Sequence, residues 1–68
     1  MSRTTITIEG KQVSIGDWVG FKSDTEQNGK IIKISGSRVL LENKNGFHGD
    51  YIGGDETYWE DANRCWVD

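Results

Sequence analysis

Glycine recurs nine times along 68 residues and proline never occurs. The chain is therefore cut into short pieces by a residue that reaches turn geometries other residues resist. Such punctuation disfavours long helices, and the pieces between the glycines alternate instead. In "TTITIEGKQVSI" polar and apolar residues follow each other with period two, which sets Ile6 and Ile8 on one face of a strand. Glu9-Gly10-Lys11 reads as a turn, and Val13 and Ile15 resume the alternation, so a hairpin is expected at the N-terminus.

The same logic runs down the chain. Gly16-Asp17 forms a corner ahead of a strand from Trp18 to Lys22, with Val19 and Phe21 on one face and Trp18 and Gly20 on the other. "SDTEQNG" reads as a polar loop, because Ser, Asp, Thr and Asn bond back to their own backbone. "KIIKISGSRVLLEN" predicts a second hairpin around Ser35-Gly36. A two-residue turn would set Ile32 opposite Val39 and Lys33 opposite Arg38, whereas a three-residue turn would bring Ile32 to Leu40. Residues 43–55, with four glycines, read as a long loop anchored by Phe47 and Tyr51. Thr57 to Trp59 reads as a strand, Glu60 to Arg64 as one helical or 3-10 turn, and Cys65 to Val67 as a last strand.

A chain of this length makes one domain, residues 1–68, with one core, and buries only about 60% of the surface it exposes when unfolded. Apolar residues are 34% of the total, so the seven aromatic rings, each able to bury roughly 150–250 Å², must be well used. That argument expects Trp59 and Trp66 in the core. It leaves Trp18 open, since Val19 and Phe21 already claim the inward face of their strand. A single cysteine excludes an internal disulfide and any zinc site built on Cys pairs. Together with an N-terminus that lacks an apolar leader segment, and the absence of any apolar run long enough to span a bilayer, this gives the expectation of a cytoplasmic protein. Charge is uneven: residues 1–45 carry seven Lys/Arg and five Asp/Glu, and residues 46–68 one Arg and six acids.

From Val13 to Trp66 the chain resembles the small SH3-like barrels of KOW and Tudor type. The resemblance rests on "IGDWVGF", whose "GD-x-V" corner opens the first strand, on Gly29 at the start of the second, on "KIIKISGSRVLLEN", and on the ending "YWEDANRCW". The whole is also similar to short proteins of tailed phages. It implies an all-β fold, a small SH3-like barrel of about five short antiparallel strands, with the N-terminal hairpin and the C-terminal turn added. Two departures qualify the functions that come with it. KOW modules that contact RNA are usually basic, and this chain is net acidic at −3. Tudor modules read methylated side chains with an aromatic cage, for which Trp18, Tyr51, Tyr58 and Trp59 are the rings available.

Three groups of residues are candidates for contact. The first is aromatic and acidic, Trp18, Asp50, Tyr51, Asp55 and Glu56, carried near the "SDTEQN" loop and the Gly-rich loop of residues 46–55. Trp and Tyr are enriched where proteins bind one another, and loops on a rigid scaffold carry most contacts. The second is basic, Lys22, Lys30, Lys33, Arg38 and Lys44. If Lys33 and Arg38 faced each other across strands, an anionic partner would relieve their repulsion. The third is the acidic run of Asp50, Asp55, Glu56, Glu60 and Asp61, which lacks the ligand spacing and central Gly of a calcium loop. His48 and Cys65 are the only side chains beyond carboxylates suited to nucleophilic or acid–base work, and their setting suggests an exposed loop tip and a small buried residue.

The expectation is a non-catalytic binding module, a phage-type accessory protein contacting a host or viral protein, without metal or cofactor. It would act as a monomer, or as a homodimer through an exposed sheet edge. The alternative is nucleic-acid binding through the Lys/Arg face of residues 22–44.

Overall fold

The computed structural model describes residues 4–23, 25–48 and 52–67. They form seven strands and one 3-10 turn: β1 (Thr4–Ile6), β2 (Gln12–Ser14), β3 (Trp18–Ser23), β4 (Thr25–Ser35), β5 (Arg38–Glu42), β6 (Thr57–Asp61), the turn Ala62–Arg64, and β7 (Trp66–Val67). The fold is all-β. β1 and β2 pair as an antiparallel hairpin, and the other five make an antiparallel sheet in the order β6-β5-β4-β3-β7. β3 to β6 are thus a meander, and the 3-10 turn carries the chain back so that β7 pairs with β3, Gly20 opposite Trp66. Among the described residues no helix is long and apolar enough to cross a membrane.

The Gly16-Asp17 corner is built as its sequence predicts. Gly16 takes a positive φ of 101° that a side chain would resist. Asp17 Oδ2 accepts from the Ser14 N–H at 2.9 Å. The corner then joins the β3–β4 ladder, with Gly16 donating to the Ile31 carbonyl and Ile31 donating to that of Asp17.

Period two decides what is buried. Val19 and Phe21 of β3, Ile31 and Ile34 of β4, Val39 and Leu41 of β5 are all inside. Alternation alone cannot bury both Ile31 and Ile34, which are three apart. A bulge resolves the conflict: the register steps from Ile31↔Leu41 to Lys33↔Leu40, and the extra residue, Ile32, takes up the slip. The turn of this hairpin is Gly36-Ser37, Gly36 at φ 62°, so Ser35 meets Arg38 and Ile34 meets Val39. Neither register considered from the sequence holds. Lys33 faces Leu40 and Arg38 faces Ser35, so the like-charge contact that one of those registers would have made does not arise.

The core is completed from the Gly-rich loop. Phe47 and Ile52 are buried with Ala62, Cys65 and Val13. Phe21 meets Phe47 edge-on at 5.4 Å between ring centroids and stacks on Tyr58 at 5.6 Å. Gly29 makes the room, since a Cβ there would stand 3.0 Å from Leu41 Cβ and 3.2 Å from Phe47 Cζ. The side-chain amide of Gln27 holds the loop in place, accepting from the His48 N–H at 2.7 Å and donating to the His48 carbonyl.

Two expectations need correction. Residues 25–28 of "SDTEQN" are strand, paired with β3 from Ser23↔Thr25 to Gly20↔Asn28. A polar segment here is held by ladder bonds and covers little of the core, so it lacks the apolar alternation that would mark it as a strand. Trp59 and Trp66 are outside the core. Tyr58 occupies the inward position beside Trp59, and Trp66 shares a face with Gly20, away from Val19. In the N-terminal hairpin Ile6 and Ile8 do share a face, but it is the exposed one, and Thr7 and Val13 are buried.

Candidate functional site

With the small aromatic rings inside, all three indoles lie on the outer side of the five-stranded sheet. The registers set that side out in rows. Trp18, Lys30, Glu42 and Thr57 form one row from β3 to β6. Trp66, Gly20 and Asn28 form the next on one side, and Lys33, Leu40 and Trp59 the next on the other. Trp18 is 49% exposed and Trp59 37%, large apolar areas for a domain that has few to spare. Trp66 is half-buried because it leans on Gly20. Arg38 lies over the Trp59 ring, 5.8 Å from its centroid, and its Nε is 3.8 Å from Asp61 Oδ1. The indole is fixed there by cation–π attraction and a surface ion pair.

Two open clefts flank the Trp18–Trp66 corner. One, of about 250 Å³, is lined by Trp18, Lys30, Glu42, Asn43, Lys44 and Asn45. The other, of about 260 Å³, lies between Trp66 and Gly20 on one side and Glu26, Gln27 and Asn28 on the other. The wall of the first is rigid for a local reason. Asn43 Nδ2 donates to the Asn28 carbonyl at 3.0 Å, and Asn43 Oδ1 accepts from the Asn45 N–H at 3.0 Å. Gly46, at φ 83°, closes that turn by donating to the Asn43 carbonyl at 2.8 Å, and the Gly54 carbonyl leaves no room for a Cβ there. Lys44 and Asn45 are thereby presented beside the Trp18 ring.

Of the aromatic and acidic candidates, the structure places Trp18 on this face, and Asp55 and Glu56 exposed on the approach to β6. Asp50 and Tyr51 lie outside the described residues. The described rings among those available for a cage, Trp18, Tyr58 and Trp59, are not brought together. Tyr58 points inward onto Phe21, and two strands, β4 and β5, separate Trp18 from Trp59.

The basic candidates are on the outer side, but three of the five stand directly opposite an acid: Lys22 opposite Glu26, Lys30 opposite Glu42, and Arg38 opposite Asp61. Lys33 faces Leu40 and Lys44 lies in the loop after β5. Opposite charges in cross-strand positions favour the sheet, and they leave a checkered face in place of a positive stripe.

His48 is exposed and its backbone is engaged by Gln27. Cys65 is buried, its thiol directed to the Asp61 carbonyl at 3.4 Å. Burial pushes that thiol up to about 12, with the Glu60 and Asp61 carboxylates adding to the effect and Arg64 opposing it. It is held neutral and is a poor nucleophile. Among the described residues no group of three or more His, Cys, Asp or Glu side chains is placed to hold a metal ion.

Leu40, Glu42, Asn43 and Asn45 were not singled out from the sequence. A signal for the first two existed: Val39 and Leu41 are the obvious inward pair, and period two then turns Leu40 and Glu42 outward beside the indoles. The two asparagines read only as loop residues: Asn43 is placed by its bond to the Asn28 carbonyl on another strand, and Asn45 follows through its own bond to Asn43. No family model, curated protein or solved structure matches this chain.

Proposed function

We propose that the chain is a non-catalytic binding module whose partner is a protein, engaged by the outer face of the sheet around Trp18 and its cleft. The observation that carries this reading is the inversion of the aromatic set. The Phe and Tyr rings described fill the core, while the three Trp rings lie outward on one face. Indoles surrounded by mixed charge are the composition of a protein-binding hot spot, with apolar anchors at the centre and polar groups at the rim. The neutral, buried thiol agrees with a role without covalent chemistry.

The charge pattern favours protein over nucleic acid as the partner. Phosphate binding gains from several cations acting together, and here acids stand across from three of the five candidates. The experiment is affinity capture from a lysate of the cells in which the protein acts, using wild type and Trp18→Ala, beside a salt titration on single- and double-stranded oligonucleotides. Protein partners held by wild type and lost by Trp18→Ala support the reading. Identical capture by both, or oligonucleotide binding at about 50 mM salt that weakens steeply as salt rises, counts against it.

A further inference from the structure

The five-stranded sheet has two edges, and the molecule treats them differently. At β7 the outer side is covered. The Ile8 N–H donates to the Cys65 carbonyl at 3.1 Å, and Glu9 Oε1 accepts from the Val67 N–H at 2.7 Å. The N-terminal hairpin thus supplies the partner groups that a neighbouring strand would otherwise offer.

At β6 nothing comparable is found among the described residues. The phase of the β5–β6 ladder follows from the bonds at its two ends, Asn43 N–H to the Glu56 carbonyl at 2.8 Å and Ala62 N–H to the Ser37 carbonyl at 2.7 Å. Antiparallel pairs alternate between those that exchange hydrogen bonds and those that do not. Tyr58 and Glu60 therefore turn their backbone groups to β5, and Thr57, Trp59 and Asp61 turn theirs to the open side. Asp61 is already engaged, its N–H by the Glu60 carboxylate at 2.9 Å and its carbonyl by the Cys65 thiol. The N–H and C=O of Thr57 and Trp59 are left facing outward on two consecutive edge positions, with the exposed Trp59 indole beside them.

We propose that this edge of β6 receives an extended basic peptide as an added strand. Four backbone bonds to Thr57 and Trp59 would supply the affinity and the side chains the selectivity. The charge along the edge chooses the occupant. Asp55 and Glu56 lead into β6, both exposed, and Asp61, also exposed but shared with Arg38, ends it. A second copy is disfavoured by the same charges. Pairing β6 with itself around Trp59 would crowd the exposed Asp55, Glu56 and Asp61 carboxylates of both copies onto one short edge. A strand with Lys or Arg at alternate positions meets them with the opposite sign. This inference goes beyond the reading of the outer face, because it uses backbone at the rim of the sheet and does not involve Trp18.

The test uses a short capped peptide alternating Lys and Val, its counterpart with Glu for Lys, and its counterpart methylated on alternate backbone nitrogens. Each is titrated into the isotope-labelled full chain. The expected result is that the Lys peptide shifts the amide resonances of Thr57 and Trp59 and slows exchange of the Trp59 amide by about tenfold or more. The Glu and N-methyl peptides bind roughly tenfold more weakly or worse. Thr57→Pro, which removes an outward donor and leaves the bonds to β5 intact, weakens the Lys peptide to the same degree, and Trp18→Ala does not. An unperturbed Trp59 amide, equal binding of the three peptides, or a dimer abolished by Thr57→Pro would overturn the proposal. If Trp18-dependent capture persists in that case, the edge is removed and the outer-face reading stands.

Discussion

The Trp66 indole lies directly against Gly20, so close that a Cβ at that glycine would be 2.3 Å from its Nε1. The absence of a side chain at Gly20 is what lets β7 pair with β3 while Trp66 covers the outer face. Gly20→Ala is expected to push the indole outward and to lower stability by about 1–3 kcal/mol, the usual range for overpacking. A lower denaturant midpoint with red-shifted tryptophan emission checks this. An unchanged midpoint and spectrum would contradict the contact.

Core and surface rings separate sharply under substitution. Phe47 is fully buried against Phe21 and Tyr58, so Phe47→Ala should cost about 3–5 kcal/mol. That is most or all of what a domain of this size has, and the variant is expected to be unfolded at room temperature by circular dichroism. Trp59→Ala loses the Arg38 contact and partial burial, a cost of about 0.5–1 kcal/mol, and should still melt cooperatively. The opposite ranking would put Trp59 in the core.

Much of this division was legible in the sequence. The alternation around Val19 and Phe21, the Gly16-Asp17 corner, the buried Cys65 and the late 3-10 turn are all local patterns, and local patterns survive folding. What failed depended on competition between distant residues. Tyr58 and Trp59 are neighbours, so one of them must face out, and the larger ring looked the better core filler. The choice is made elsewhere, by Phe47 arriving from the loop and by Gly29 leaving a space shaped for it. "SDTEQN" read as a loop because polarity on both faces resembles a loop wherever a hairpin covers little of the core.

The bulge in β4 makes its own prediction. Ile31 and Ile34 are buried on either side of it and Ile32 is only partly covered. Ile31→Ala and Ile34→Ala are expected to cost about 2–5 kcal/mol each, and Ile32→Ala clearly less. Urea denaturation of the three variants decides it, and an Ile32 cost equal to the others would place the bulge somewhere else.

Cys65 couples the core to alkaline pH. The folded chain keeps the thiol proton more tightly than the unfolded chain, whose value is near 9.0 against about 12 when folded. The stability that depends on the neutral thiol is complete below about pH 9 and is lost as pH rises from there toward about 12. Cys65→Ala lacks this term, so the stability gap between wild type and variant should narrow above about pH 9. Alkylation by iodoacetamide near pH 8 should be slow in the folded protein and fast in denaturant. Rapid alkylation of the folded chain would contradict the burial.

The most direct measurement on the outer-face reading is photo-crosslinking from position 18. Trp18 is replaced by p-benzoylphenylalanine, and the exposed Gln12 of the N-terminal hairpin carries the same group in a control. The account predicts protein adducts from position 18, absent from position 12 and competed away by unlabelled wild type. Adducts to nucleic acid from position 18, or the same protein adducts from both positions, would contradict it.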